Sequence, residues 1–217
     1  PEAKIGAKVA DVMGMDDPII DIAITPNRAD CLGVRGVARD LAAAGIGKLK
    51  PLPEINFKPV FKSPISVAIE TKNCQQFIGC FIKSIRNQQS PEWLKKRLEA
   101  IGQKSISTLV DITNYFTFDL GRPLHVYDER KLGRNITVRA AKNGETIKAL
   151  NGKDYTLDGG ITIIADSSNA LAIGGIIGGA ESGCTEATTD IFLEVALFDT
   201  TSVALAGRNL QIDSDAR

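Results

Sequence analysis

The sequence is poor in the groups that most often carry chemistry. It contains one histidine and four cysteines, Cys31, Cys74, Cys80 and Cys184, none of them in a C-x-x-C pair. A multi-histidine metal centre and a zinc ribbon are therefore excluded, because such sites need several nitrogen or sulfur ligands at short spacing. Scattered thiols of this kind read as free cysteines in a reducing cytoplasm. Charge of one sign is also lacking: 26 Lys and Arg balance 26 Asp and Glu. No net field draws in polyanions, so any nucleic acid must be held by a local patch or by another chain. No apolar run approaches the roughly 20 residues that a membrane-spanning helix requires. A P-loop, a G-x-G-x-x-G turn and a G-x-S-x-G elbow are all missing.

What remains has a globular composition, 43% hydrophobic and 24% charged over 217 residues. That length suits one large domain, or one with part of another. The chain opens Pro1-Glu2-Ala3 without Met or a basic-then-apolar leader, and it stops at Asp215-Ala216-Arg217 within what reads as an element. An excised piece of a longer polypeptide is the expectation.

Periodicity and turn chemistry supply an outline. The β-branched run Ile19 to Ile24 predicts a strand closed by Thr25-Pro26-Asn27, and Asp30 is placed to cap a helix reaching about Ala44. Gly33 and Gly36 weaken that helix, which points to close packing against it. Prolines 51, 53, 59 and 64 interrupt regular structure and mark a domain boundary near residue 60. Strands are predicted over 65–69 and 77–85, the second the more buried. Helices follow from Ser90-Pro91-Glu92 to Gly102 and from Ser107 to Leu120. Residues 134–180 read as a meander with hairpins at Asn143-Gly144 and Asn151-Gly152. A last strand over 191–196 leads to a helix capped by Asp199 that ends near Gly207. Strands dominate without β-α-β alternation, so the fold class is α+β, with a layered antiparallel or mixed sheet and flanking helices.

Four features could carry function. His125, in Arg122-Pro123-Leu124-His125-Val126-Tyr127-Asp128, is the one side chain with an ordinary pKa near neutrality; a histidine bonded to backbone at a turn is the bland alternative. Gly174-Gly175-Ile176-Ile177-Gly178-Gly179 lets backbone approach a bound group closely, or makes a tight corner between strands. Glu194 sits in the apolar run Phe192-Leu193-Glu194-Val195-Ala196. Alternation favours a solvent-facing carboxylate, and a buried acceptor awaiting a specific donor is the other reading. Lys95-Lys96-Arg97 and the set Arg28, Arg35 and Arg39 read as solvated helix faces.

Read together, Ile24-Thr25-Pro26-Asn27-Arg28-Ala29-Asp30-Cys31-Leu32-Gly33, Val110-Asp111-Ile112-Thr113-Asn114-Tyr115, the His125 segment, Gly174 to Gly179, Phe192 to Ala196 and Ser214-Asp215-Ala216 resemble the beta subunit of bacterial phenylalanyl-tRNA synthetase, in order and at family spacing from about Ile19 to the end. The resemblance implies that residues 61–217 form the tRNA-editing domain, a layered fold containing a β-sandwich of unusual topology, which hydrolyses tyrosine wrongly esterified to phenylalanine tRNA. Residues 1–60 are then part of a small α/β-containing domain that precedes it. The implied partners are mischarged tyrosyl-tRNA and the alpha subunit, in an alpha2beta2 heterotetramer of the cytoplasm. ATP and Mg²⁺ belong to the parent synthetase, and this part of it is expected to need neither a cofactor nor a metal.

The resemblance also assigns roles. Glu194 stands where the family recognises the tyrosine phenol, Ala216 where a small side chain leaves room for the ring, and Ser214 where some members carry Thr. Gly175 and Gly178 match pocket-lining glycines, and His125, Asn114 and Thr113 match residues around the ester end. The chemistry is coherent: a pocket built for phenyl rejects an added hydroxyl only by a factor on the order of 10², whereas a site that hydrogen-bonds the hydroxyl rejects its absence by roughly 10⁴ or more. With phenylalanine bound, Glu194 is expected to lie unpaired, which disfavours the correct product. An ester is already activated, so a positioned water and donors to the oxyanion suffice. A non-catalytic module that supports the assembly or docks tRNA is the alternative. Burial of Glu194 beside Gly178 and Ala216 separates the two.

Overall fold

The architecture comes from a computed structural model that describes residues 3–14, 18–214 and 216. After a short helix α1 (Val9–Met13), residues 19–24 carry no regular structure and are largely exposed, contrary to the strand expected there. A β-branched run forms a strand only where a partner offers its backbone. A 3₁₀ turn at Pro26–Cys31 leads into α2 (Val34–Ala43), whose N-cap is Gly33 and not Asp30. Asp30 is engaged elsewhere: with Asp40 it pairs with Arg28 and Arg39 around the buried Cys31 thiol. Two of the three arginines expected on a solvated face thus join an ion-pair cluster, and Arg35 donates to the Lys50 carbonyl at 3.1 Å. Residues 48–59 carry no regular structure, as their prolines require.

Strand β1 (Ser66–Ile69) is followed by β2 (Cys74–Ile82), α3 (Glu92–Ala100) and α4 (Thr108–Leu120). β2 is the more buried of the two strands, as expected, with Cys74 and Phe81 in the core, although Ile78 is exposed. Leu94 and Leu98 bury the inner face of α3, and Gly102 ends it, but Ile101 stays exposed. Ser90 does not cap α3. Its hydroxyl donates to Asp111 on α4 at 2.5 Å, as does that of Ser105, while the Ile106 amide donates to the other Asp111 oxygen at 2.9 Å. One buried carboxylate thereby ties both helices and their connection together. Gly33 and Gly36 behave as expected of glycines at a close approach. A Cβ at Gly33 would lie 2.3 Å from the Gly121 nitrogen at the end of α4, and one at Gly36 would lie 1.8 Å from the Asp30 carbonyl.

The remaining strands are β3 (His125–Asp128), β4 (Asn135–Ala140), β5 (Thr146–Lys148), β6 (Asp154–Thr156), β7 (Thr162–Ala165), β8 (Ala170–Ile173), β9 (Ile177–Gly178) and β10 (Ile191–Phe198), and α5 (Thr200–Leu210) follows. Five strands form one sheet in the order β1-β4-β7-β8-β9, with β1 parallel to β4 and the other pairs antiparallel. Three form an antiparallel sheet, β2-β10-β3. The Asn151-Gly152 turn closes the hairpin β5-β6 as expected. Asn143-Gly144 closes none, because β4 is taken by β1 and β7. The Asn143 carboxamide accepts from the Gly159 amide at 2.9 Å instead.

The α+β class holds, as a stack of layers. Ile136, Val138, Ile164 and Ala172 of the larger sheet meet Phe81, Tyr127 and Phe192 of the smaller in one core. The larger sheet buries its other face, with Ile163 and Ile173, against Ala206 of α5 and Ile147 beside the hairpin. The smaller sheet turns Val126 and Ile191 to Leu109 of α4. The larger sheet is therefore covered on both faces, and the smaller one is covered over β3 and the first half of β10 while Ile78 and Leu197 remain exposed. Gly33→Ala is expected to destabilise the chain by about 2 kcal/mol, because backbone atoms of α4 cannot yield to the new methyl. Urea unfolding checks this, and an unchanged midpoint would mean that α2 does not pack there.

Candidate functional site

β10 carries Glu194 directly opposite His125 on β3 and Gly79 on β2. Period-2 alternation puts Phe192 and Glu194 on the face toward the larger sheet, while Ile191 and Leu193 face α4. Glu194 is only 6% exposed, so the solvent-facing orientation that alternation favoured is not adopted. The reason is that the face carrying Phe192 and Glu194 packs against the larger sheet, and what exposure β10 has lies on its other face, at Leu197.

The carboxylate has a donor inside the protein. Tyr127 Oη, from a fully buried ring, donates to Glu194 Oε2 at 2.5 Å. The imidazole of His125 stands edge-on to that ring, with centroids 4.4 Å apart. Its far side meets Gly178 of the larger sheet, where a Cβ would fall 2.2 Å from Cε1 and 2.7 Å from Nε2. Leu150 also borders Gly178, at 3.0 Å from such a Cβ. Glu194, His125 and Gly178 are thus brought together between the sheets.

The other expected residues are placed differently. Gly175, with φ at 71°, packs against Phe198 and Val203. Phe198 lies four positions beyond Glu194 on β10, on the order of 13 Å along the strand, so Gly175 is not beside the carboxylate. The Ser214 hydroxyl donates to the Ile176 carbonyl at 2.6 Å, two residues before Gly178. Ala216 is exposed, and its neighbours 215 and 217 lie outside the described residues. The Thr113 hydroxyl folds back on the Val110 carbonyl at 2.8 Å, and neither Thr113 nor Asn114 hydrogen-bonds to His125 or Glu194. The sequence reading missed Tyr127, Gly79 and Leu150. Tyr127 was within reach of it, since a residue two positions from His125 on a strand shares its face.

Burial dominates the electrostatics. It pushes the Glu194 carboxyl up to about 7 against the opposing pull of the Tyr127 hydrogen bond. It pushes His125 down to about 4, so the imidazole is neutral at physiological pH and not the near-neutral titrating group expected. Burial, then the Glu194 charge and hydrogen bond, hold the Tyr127 phenol well above its ordinary value, so it remains a donor. Among the described residues, His125 Nε2 is the only sealed side-chain nitrogen or oxygen without a hydrogen-bond partner. Such an orphan marks a place where a ligand atom or water belongs.

Burial raises the thiols of Cys31 and Cys74, and that of Cys184 to about 11, which disfavours their thiolates. Asp30, Cys31 and Asp40 could in principle hold a cation, but Arg28 and Arg39 already occupy both carboxylates. An open groove of about 380 Å³ lies along α2, lined by Val34, Leu41 and Leu120, and a cleft of about 10 Å³ lies by Gly174 and Phe198; neither is lined by Glu194. The carboxyl lies outside both, largely buried, with its phenol partner already in place.

Comparison with known proteins gives the class of the chain. Residues 73–217 match the B3/4 domain family, and the chain belongs to that family. It is 53% identical over 218 residues to the phenylalanine–tRNA ligase beta subunit of Paramagnetospirillum magneticum, covering 98% of this chain and 27% of that subunit. To the corresponding subunit of Rhodospirillum rubrum it is 51% identical over 222 residues, with 100% and 28% covered. The chain thus spans little more than a quarter of the length of these relatives. The solved N-terminal fragment of the phenylalanyl-tRNA synthetase beta subunit from Pyrococcus horikoshii superposes with a TM-score of 0.48 at 20% identity, over 84% of this chain and 59% of that one. The beta-subunit resemblance carried by the sequence motifs is borne out. No helix among the described residues is long and apolar enough to cross a membrane.

The two shifted groups oppose each other in stability. A carboxyl raised to about 7 favours the folded state below its unfolded value of 4.5, and that contribution is lost as pH rises through about 7. An imidazole lowered from 6.5 to about 4 does the reverse, losing its contribution as pH falls through that window. Glu194→Gln is therefore expected to gain on the parent protein by about 3 kcal/mol between the acid side of the carboxyl transition and about pH 8. Urea unfolding across that range measures it, and a pH-independent difference would mean that the carboxyl is not shifted.

Proposed function

We propose that the chain is the editing module of a phenylalanyl-tRNA synthetase beta subunit, which hydrolyses the ester of tyrosine wrongly attached to phenylalanine tRNA. The observation that carries this reading is the buried Glu194 carboxylate holding a phenolic hydroxyl, that of Tyr127, at 2.5 Å. A site that already binds one phenol through a carboxylate has the chemistry to read a second. Burial of Glu194 beside the His125 and Gly178 contact favours this reading over a non-catalytic docking module, for which a carboxylate in bulk solvent would have spoken, although neither of the two cavities described above is lined by Glu194 and Ala216 is exposed.

The selectivity argument changes in one respect. With phenylalanine bound, Glu194 does not lie wholly unpaired, because Tyr127 keeps Oε2. Rejection of phenylalanine rests on the other oxygen alone, worth about 1–3 kcal/mol for a buried acceptor left unsatisfied. The scissile ester carries its own activation, so the module has to place a water and support the oxyanion. His125, neutral and with Nε2 unpartnered, is suited to hold that water by a hydrogen bond and poorly suited to take its proton. Thr113 and Asn114 keep their assignment around the ester end on the strength of the family resemblance, as do Gly175, Ser214 and Ala216 around the ring.

In the same reading, residues 61–217 form the editing domain and residues 1–60 belong to the preceding small domain. The partners are tyrosyl-tRNA and the alpha subunit of an alpha2beta2 assembly in the cytoplasm. ATP and Mg²⁺ serve the aminoacylation centre elsewhere in that assembly.

Deacylation of tyrosyl-tRNA and phenylalanyl-tRNA by the full subunit assembled with its partner tests the proposal. Selective cleavage of the tyrosyl ester is expected, with selectivity lost in Glu194→Ala. Gly178→Ala, whose methyl would overlap the imidazole, is expected to slow cleavage by about 10²-fold. Equal cleavage of both esters by the parent protein would end the editing reading.

A further inference from the structure

Glu194 has two oxygens, and the protein treats them differently. Oε2 accepts from Tyr127 at 2.5 Å. Among the described residues no donor reaches Oε1, and His125 Nε2 is the only side-chain polar atom both sealed and unpartnered, so Oε1 is not fully closed off within a residue that is 6% exposed. On β2 the residue opposite is Gly79, itself exposed, whose missing side chain makes room for the Phe192 ring and places no polar group beside the carboxylate.

Tyr127 is a rigid donor. Its ring is fully buried in the core shared by both sheets, with Ile136, Val138 and Phe192, and its edge contact with His125 fixes it further. The hydroxyl cannot leave the carboxylate without opening that core. A short bond from a neutral donor to an ionised acceptor is also among the stronger hydrogen bonds available to a protein.

On the editing reading, we propose that Tyr127 is a specificity-determining positioning residue, a built-in phenol that occupies Oε2 of Glu194, fixes the carboxylate, and leaves Oε1 as the single acceptor for a substrate hydroxyl. Discrimination then depends on Tyr127 in two ways. A fixed carboxylate presents Oε1 at one place, where a para-hydroxyl can reach it and an unsubstituted ring leaves it bare. The same bond favours the ionised form, which rejects a bare ring more strongly than a neutral carboxylic acid does. The titratable groups that face Glu194 are Tyr127 and His125 on β3, and Cys74 at the start of β2 feels its charge. Tyr127 is the one that donates to it. A purely structural role, satisfying a buried acid, would lower stability on removal and leave discrimination where it was.

The test compares the parent protein, Tyr127→Phe, and a variant with 3-fluorotyrosine at position 127, which restores the hydroxyl. The ratio of tyrosyl-tRNA to phenylalanyl-tRNA deacylation is read in the full subunit assembled with its partner. The Glu194 carboxyl is titrated by carbon NMR in the 217-residue chain. Tyr127→Phe is expected to reduce the ratio about tenfold, the worth of one hydrogen bond, and to move the carboxyl titration to higher pH. The fluorotyrosine variant is expected to recover the parent ratio within about twofold. Parental discrimination retained in a folded Tyr127→Phe, with an unmoved carboxyl titration, would overturn the role of Tyr127 alone. Absence of discrimination in the parent protein would overturn the editing reading, and the specificity role with it.

Discussion

Placing a carboxylate on the buried face of β10 obliges the chain to supply a donor from within, because an ion left unpaired between two sheets costs several kcal/mol. Tyr127 meets that need from the adjacent strand, and much of the local structure follows. The antiparallel register of β10 and β3 sets Glu194 opposite His125. The two-residue period of β3 then brings Tyr127 onto the same face as His125, in contact with both. A shift of β3 by one residue would turn Val126 inward and leave the acid without its phenol. The core between the sheets therefore fixes the register of the site as much as the site draws on the core.

Glycines set the distances around this group. Gly178 lets the larger sheet approach the face of the imidazole, and Gly79 leaves room for the ring of Phe192 while standing beside Glu194 without covering it. Burial at the first contact leaves His125 Nε2 sealed and lowers its basicity, and the second seats the Phe192 ring beside the carboxylate. On the proposed editing reading, close packing and function are the same arrangement seen from two sides: a site that reads a hydroxyl needs an acceptor dry enough to penalise an absent donor and open enough for the donor to arrive.

Elsewhere, polar residues of the family motifs hold the frame. Asp111 gathers Ser90, Ser105 and the Ile106 amide, and buried Asp128 accepts from Thr188 at 2.7 Å. The ion-pair cluster of Arg28, Asp30, Arg39 and Asp40 organises the start of α2, which Gly33 seats against the end of α4. Motif residues so employed are structural, which explains why a motif such as Val110-Asp111-Ile112-Thr113-Asn114 does not translate residue by residue into a catalytic list.

Local chemistry was sufficient for much of the outline. Gly102 and Gly121 end their helices, Asp199 caps α5 by accepting from the Ser202 amide, and Asn151-Gly152 turns a hairpin, each through interactions within a few residues of sequence. The family motifs likewise singled out Glu194, His125 and Gly178. Long-range pairing was not legible: residues 19–24 have strand composition but no partner, and Asn143-Gly144 has turn chemistry but no paired strands to join. The direction of Glu194 belonged to the same class, because alternation reports two faces and only the stacking of layers tells which of them meets water. Sequence alone determined which groups the molecule owns, a lone carboxylate in an apolar strand and a lone histidine after a helix. Tertiary structure decided that both are buried, that their pKa values move in opposite senses, and that a phenol from the next strand already holds the acid, since burial and hydrogen-bond partners exist only once distant strands have met.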